Sequence, residues 1–248
     1  SLSGWLVSGH AEVRAVLGDV SRFVMAGTPV AEVFTADGML VNDTPFHHVI
    51  RAVWSGPAGR PAQLLRAGEL AANARAALDR VGPALDAGES VDLVGVFREF
   101  VIAYIAASFG VPGGRTEIFH RWSRLSADTP ALGLEPGSAQ ALGHEGARHD
   151  VQSLVAELVA DRKARFAAGE HPDDFIALMV AAEGRDGFTA SVIADNVFNF
   201  MLGALDTTEK WLGNIVLRLL GDPEWQERLR ARPELIEPFN EEVMRHDT

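Results

Sequence analysis

Val197-Phe198-Asn199-Phe200-Met201-Leu202-Gly203-Ala204-Leu205-Asp206-Thr207-Thr208 decides how this chain reads. Its first part stays apolar around the whole helical circumference, which predicts a buried helix rather than an amphipathic one. Two small residues then precede an acid and two hydroxyls. A buried polar group costs about 1–3 kcal/mol unless it is bonded, so this composition needs a reason. Gly203-Ala204 beside Asp206-Thr207 points to the close approach of something flat, next to a pair able to handle protons. Phe200, Ala204, Thr207 and Trp211 fall on one face at helical spacing. An alternative reading makes Asp206 the cap of a second helix starting at Thr207, and at this level the two stay open.

Outward from this stretch the periodicity is mostly helical. Thr189 caps the helix that carries it, with Phe188 and Ile193 placed as a hydrophobic staple. Downstream, Asp222-Pro223-Glu224 opens another helix, and a last one runs from Pro233 or Leu235 to the end. Upstream, residues 150–167 form the cleanest amphipathic pattern, with Val151, Leu154, Val155, Leu158 and Val159 as the stripe. Residues 93–109 read as a buried helix. A long Ala/Leu/Arg helix is expected over about 62–81, ending before Gly82-Pro83. Thr44-Pro45 starts a helix to about Trp54, and Ser8 is expected to cap one from Ala11 to Leu17. Residues 19–42 are irregular. Trp5-Leu6-Val7 is the best strand candidate, and strand signals are otherwise sparse. The expectation is one mainly α domain over 1–248 with little sheet.

Composition narrows the function classes. The 248 residues carry 22 basic and 34 acidic side chains, a formal net charge of −12 that disfavours nucleic acid or an anionic membrane as partner. Lys163 and Lys210 are the only lysines, and the arginines are scattered. With no cysteine, disulfides, thiolate metal sites and a cysteine nucleophile are excluded for these residues. The longest uncharged apolar stretch, residues 100–111, is too short to span a bilayer, and the first residues do not read as a signal peptide. The expected setting is therefore the cytoplasm. No Gly-x-Ser-x-Gly elbow and no glycine-rich phosphate cradle occurs. His144-Glu145 with His149 superficially resembles a metalloprotease signature. The five-residue gap, however, turns the two rings about 140° apart on a helix. Gly146 suggests a solvated loop, and no metal site is expected.

His47 and Arg51 lie four apart on the helix begun at Thr44-Pro45, hence on one face. Two donors, one permanently charged, suit a carboxylate or phosphate, although a solvated surface pair is the commoner meaning of such spacing. Glu242 and Arg245, three apart on the last helix, read as an exposed pair.

Taken in order, these pieces resemble the haem-thiolate monooxygenases, cytochrome P450, of the soluble bacterial type, along essentially the whole chain. Residues 43–51 are similar to the helix whose His-x-x-x-Arg pair holds haem propionates. Residues 203–208 are similar to the central helix, where a small-residue break opens a groove for dioxygen and an acid–threonine pair relays protons. Ala204 stands where glycine is commonest. Residues 222–245 resemble the following helices, with Glu242 and Arg245 on the Glu-x-x-Arg motif, a structural lock in that family.

The resemblance implies a haem-dependent enzyme that inserts one oxygen atom from dioxygen into a small organic substrate. Electrons would come from NAD(P)H through a ferredoxin-type or flavin redox partner. His47 and Arg51 would contact haem, Gly203 and Ala204 would border the oxygen groove, and Asp206 and Thr207 would deliver protons. Val33, Phe34, Asn199 and Leu202 would line the substrate pocket. The expected architecture is a cytochrome P450-like helical domain lacking the C-terminal haem-loop part, because that family's cysteine loop lies beyond Glu-x-x-Arg. Without cysteine this chain alone is not expected to hold the haem. The alternative is a haem-less homologue that binds or activates another biosynthetic enzyme.

Overall fold

The computed structural model describes residues 4–25, 28, 37–43, 45–55, 67–128, 135 and 137–247. The helices are α1 (His10–Gly18), α2 (Phe46–Ser55), α3 (Ala67–Asp86), α4 (Leu93–Ser108), α5 (Glu117–Asp128), α6 (Ala139–Ala167), α7 (Phe175–Ala181), α8 (Ala190–Gly221), α9 (Pro223–Ala231) and α10 (Ile236–Asp247). Short 3-10 turns cover Gly113–Arg115 and Pro233–Leu235. No strand occurs among the described residues, and none of their helices is long and apolar enough to cross a membrane.

The 32-residue α8 is the central element, packing on α4, α5, α6, α7, α9 and α10. Its side chains Ile193, Val197, Phe198, Met201 and Leu205 are almost wholly buried. At about 1.5–3 kcal/mol for each large apolar side chain, this helix is the main hydrophobic contributor to the core. Thr189 starts it as expected, its hydroxyl accepting from the Val192 amide at 3.2 Å, with Phe188 and Ile193 buried beside it. At its far end, Arg218 pairs with Asp247 of α10 and holds that carboxyl well below its usual range.

Several expectations are corrected. Trp5-Leu6-Val7 is not a strand: Trp5 and Leu6 are almost fully exposed and no partner strand is described. Gly9 rather than Ser8 stands at the start of α1, without a side-chain cap, and none of the α1 residues is buried. The expected Thr44 cap lies outside the described residues.

α3 begins at 67 and runs through Gly82-Pro83. Pro83 removes one amide donor, but Asp79, whose carbonyl would accept it, is exposed, so water can replace that bond. The helix stops instead at Gly88 (φ +77), where Glu89 N donates to Ala84 O at 2.9 Å and Gly88 N to Leu85 O at 2.9 Å.

Residues 144–149 are not a loop: α6 is continuous from 139 to 167. His144 is buried, its ring edge-on to Trp122 at 5.9 Å. Gly146 lies in this helix where it faces α5, and a Cβ there would lie 3.2 Å from the Arg121 guanidinium. Two further helices, α5 and α7, have no counterpart in the periodic reading. α7 is a seven-residue apolar run capped by Asp174, whose carboxylate accepts from the Ala177 amide at 2.9 Å.

The turn after α4 depends on glycine. Gly110 has φ +60, and a Cβ there would lie 2.2 Å from Arg162 Nη2 and 2.8 Å from Asp174 Oδ2. Gly110→Ala therefore meets both a left-handed backbone penalty of about 1–2 kcal/mol and a clash with a buried ion pair. A melting temperature lowered by several degrees is expected in a thermal scan; an unchanged one would show that the pair moves aside freely.

Candidate functional site

The alternative in which Asp206 caps a second helix is excluded, because α8 passes through residues 203–208 unbroken. The Thr207 hydroxyl donates to the Gly203 carbonyl at 2.7 Å, a back-bond one turn along the helix, and the residue is exposed. Such bonds bend helices slightly, and here the bond fixes where the hydroxyl's lone pairs point. Gly203 and Ala204 are half-buried, and a Cβ on Gly203 would touch Leu40 Cδ1 at 3.8 Å. Asp206 lies within α8 on the same turn.

The turn at residues 37–42 connects this notch to α2. Met39 N donates to Asn196 Oδ1 at 2.8 Å, and Asn196 Nδ2 donates to the Asp37 carbonyl at 3.0 Å. The Met39 carbonyl in turn lies 3.1 Å from His47 Nδ1. A carbonyl only accepts, so Nδ1 carries the proton, and Nε2 can then donate only when the ring is doubly protonated. Arg51 is exposed, one turn further along α2 on the same face. Below them Trp54 stacks on Phe200 of α8, centroids 4.0 Å apart and planes within 20°, and packs against Phe109 and Phe175. The two ends of the candidate site, His47 and Gly203, thus meet on one turn of chain through Met39 and Leu40.

The other named residues are less concentrated. Asn199 and Leu202 are buried, Leu202 within the apolar core. Val33 and Phe34 lie outside the described residues. Arg245 donates to both Glu242 oxygens at 2.6 and 2.8 Å, which holds the Glu242 carboxyl below its usual range, and both side chains are largely exposed. A cavity of about 970 Å³ opens between the end of α8, α9 and α10, lined by Leu217, Trp225, Phe239 and Val243 among others; none of the notch residues lines it. Sequence reasoning missed Asn196, the side chain that ties the 37–42 turn to α8. Its signal was a polar pair, Asp195-Asn196, leading into an apolar stretch.

The chain is similar to known proteins of one family. The family model described as Cytochrome P450 matches residues 131–243. The chain is 28% identical to mycinamicin IV hydroxylase/epoxidase of Micromonospora griseorubida, over 97% of this chain and 59% of that protein. It is 30% identical to erythromycin C-12 hydroxylase of Saccharopolyspora erythraea, over 98% of this chain and 59% of that protein. The crystal structure of CalO2 superposes with a TM-score of 0.75 at 27% identity, covering 97% of this chain and 60% of that one. For P450BioI in complex with a fatty-acid-ligated acyl carrier protein the TM-score is 0.80 at 23% identity, over 98% and 62%, a likeness of fold alone. The chain spans about three fifths of the length of the curated relatives it matches.

Proposed function

Since this chain belongs to the cytochrome P450 family, we propose that it forms the oxygen-side helical part of a haem monooxygenase working in the cytoplasm. In this reading the enzyme inserts one oxygen atom from dioxygen into a small organic substrate, with electrons from NAD(P)H through a ferredoxin-type or flavin partner. The observation that carries the reading is the turn at 37–42, which holds His47 through the Met39 carbonyl and lays Leu40 against Gly203.

The residues fit haem in part. His47 and Arg51 are donors on one helical face, suited to two propionates; Gly203 and Ala204 present almost no side chain, and Leu40 lies against Gly203. No cysteine occurs in the chain, so a thiolate ligand is not among these residues. Haem, when bound, would supply the activation of dioxygen. The chain's own side chains have simpler tasks. His47 and Arg51 would contact carboxylates at the edge of the ring, with Arg51 carrying the permanent charge. The Thr207 hydroxyl, with its proton committed to Gly203 O, would accept a hydrogen bond from water in the notch and hold it for proton transfer. Asp206 would take part in the same proton transfer. Asn199, Leu202, Val33 and Phe34 would bound the substrate, and Glu242 with Arg245 would serve structure rather than chemistry.

Haem titration tests the clamp. His47→Ala and Arg51→Ala are each expected to weaken haem affinity in the haem-binding protein by about 10- to 100-fold, the worth of one hydrogen bond to a charged group. The readout is the Soret band against haem concentration, and unchanged affinity in both variants would remove the clamp.

A further inference from the structure

Among the polar ties of α8, two lie on different sides of its axis. On one side Asn196 binds the 37–42 turn. On the other, Glu209 sits in a cluster drawn from three helices. Arg98 of α4 donates through Nη2 to Glu209 Oε1 at 2.8 Å and through Nε to Oε2 at 3.2 Å. Ser123 of α5 donates to Oε2 at 2.9 Å, and its oxygen lies 3.0 Å from Arg98 Nε. The carboxylate is only 10% exposed and the guanidinium 21%.

A buried ion pair repays its desolvation poorly, so stability alone is a weak reason for this one. Its best-attested use is to fix register. The notch face adds little to that register, because Gly203 and Ala204 offer it almost no side chain to interlock. At 100° per residue, Glu209 and Thr207 point about 200° apart. The same helical turn therefore gives its carboxylate to α4 and α5 and its hydroxyl to the opposite side.

We propose that Arg98, Ser123 and Glu209 form a positioning lock that sets the rotation of α8 at residues 203–207. The inference rests on the reading of Thr207 given above, since rotation matters only if that hydroxyl has a task. Glu209 touches no reacting atom in this scheme; it acts through the helix.

The absence of cysteine allows a direct test on the chain itself. A single thiol is introduced by Leu202→Cys, in α8 on the core side, or by Leu154→Cys, in the buried stripe of α6. Its reaction with an aryl disulfide is then timed. The lock is removed by the apolar triple Arg98→Met/Ser123→Ala/Glu209→Leu, which leaves no unpaired buried charge. General loss of stability speeds both positions equally, whereas loss of the lock speeds position 202 alone. The ratio of the two rates is expected to rise about tenfold; a rise of less than threefold overturns the proposal. Should the triple variant not fold, the isosteric Glu209→Gln is read by the same ratio and the same threshold. No haem enters the measurement, so its failure sinks the lock and leaves the role of Thr207 to be decided separately.

Discussion

Thr207→Ala in the haem-loaded protein is expected to lower product formed per electron consumed by about tenfold or more while oxygen consumption continues. The side chain is exposed and its hydroxyl is spent on the Gly203 carbonyl one turn back. Alanine is the better helix former, so the substitution should leave the fold within about 0.5 kcal/mol of the parent. What disappears is one oxygen atom able to hold water in the notch. A positioned group that passes protons contributes about 10²–10⁴-fold in general, and without the water that Thr207 would hold, reduced oxygen would leave as hydrogen peroxide instead of entering product. The measurement is the ratio of NAD(P)H oxidised to product formed, with peroxide assayed alongside. Thr207→Ser, which keeps the hydroxyl, should stay near the parent ratio. If alanine changes nothing, Thr207 has no part in proton delivery.

The second large effect concerns stability. Asp174→Ala is expected to lower the melting temperature by about 10 °C. Asp174 and Arg162 are 8% and 6% exposed at the side chain, and Arg162 Nε donates to Asp174 Oδ2 at 2.8 Å. Arg162 also donates through Nη2 to the Gly110 carbonyl at 2.8 Å, and Asp174 caps α7. One pair therefore closes the junction of α4, α6 and α7. Removing a single partner of a buried pair costs about 3–5 kcal/mol, because the remaining charge is stranded. Asp161 also binds Arg162 and is half exposed, which argues for the lower end of that range. At about 2–4 °C per kcal/mol for a chain of this size, the shift lies near 10 °C. The companion Arg162→Met/Asp174→Ala removes the stranded charge and should recover part of the loss. A melting curve for Asp174→Ala within 2 °C of the parent would show that Asp161 and water replace Asp174.

Which features could be read in advance follows from how far apart the interacting residues lie. Thr189, Asp222-Pro223 and the stripe at 151–159 act within one or two turns, and each stands where its local pattern puts it. Gly146 and Gly82-Pro83 misled for the opposite reason. Glycine and proline are local breakers, but Gly146 faces a guanidinium from another helix, and the bond Pro83 gives up falls on an exposed face. His144 read as solvated because its neighbours in sequence are polar; its neighbour in space is Trp122.

The site divides in the same way. His47 with Arg51, and Gly203 with Thr207, could be found as pairs because four residues make one helical turn. Nothing in those spacings brings the pairs together. That depends on Met39 meeting Asn196 across 157 positions and on Trp54 stacking on Phe200.

The amino-acid sequence alone determined a helical, cysteine-free, acidic chain and the order of its motifs, because periodicity, caps and charge are properties of short stretches. It took the packed helices to make α8 unbroken, to tie the 37–42 turn between it and α2, and to bring Arg98, Ser123 and Glu209 together behind it. Those contacts join residues 86 to 157 positions apart, whose meeting is set by the packing of whole helices and is invisible to any local pattern.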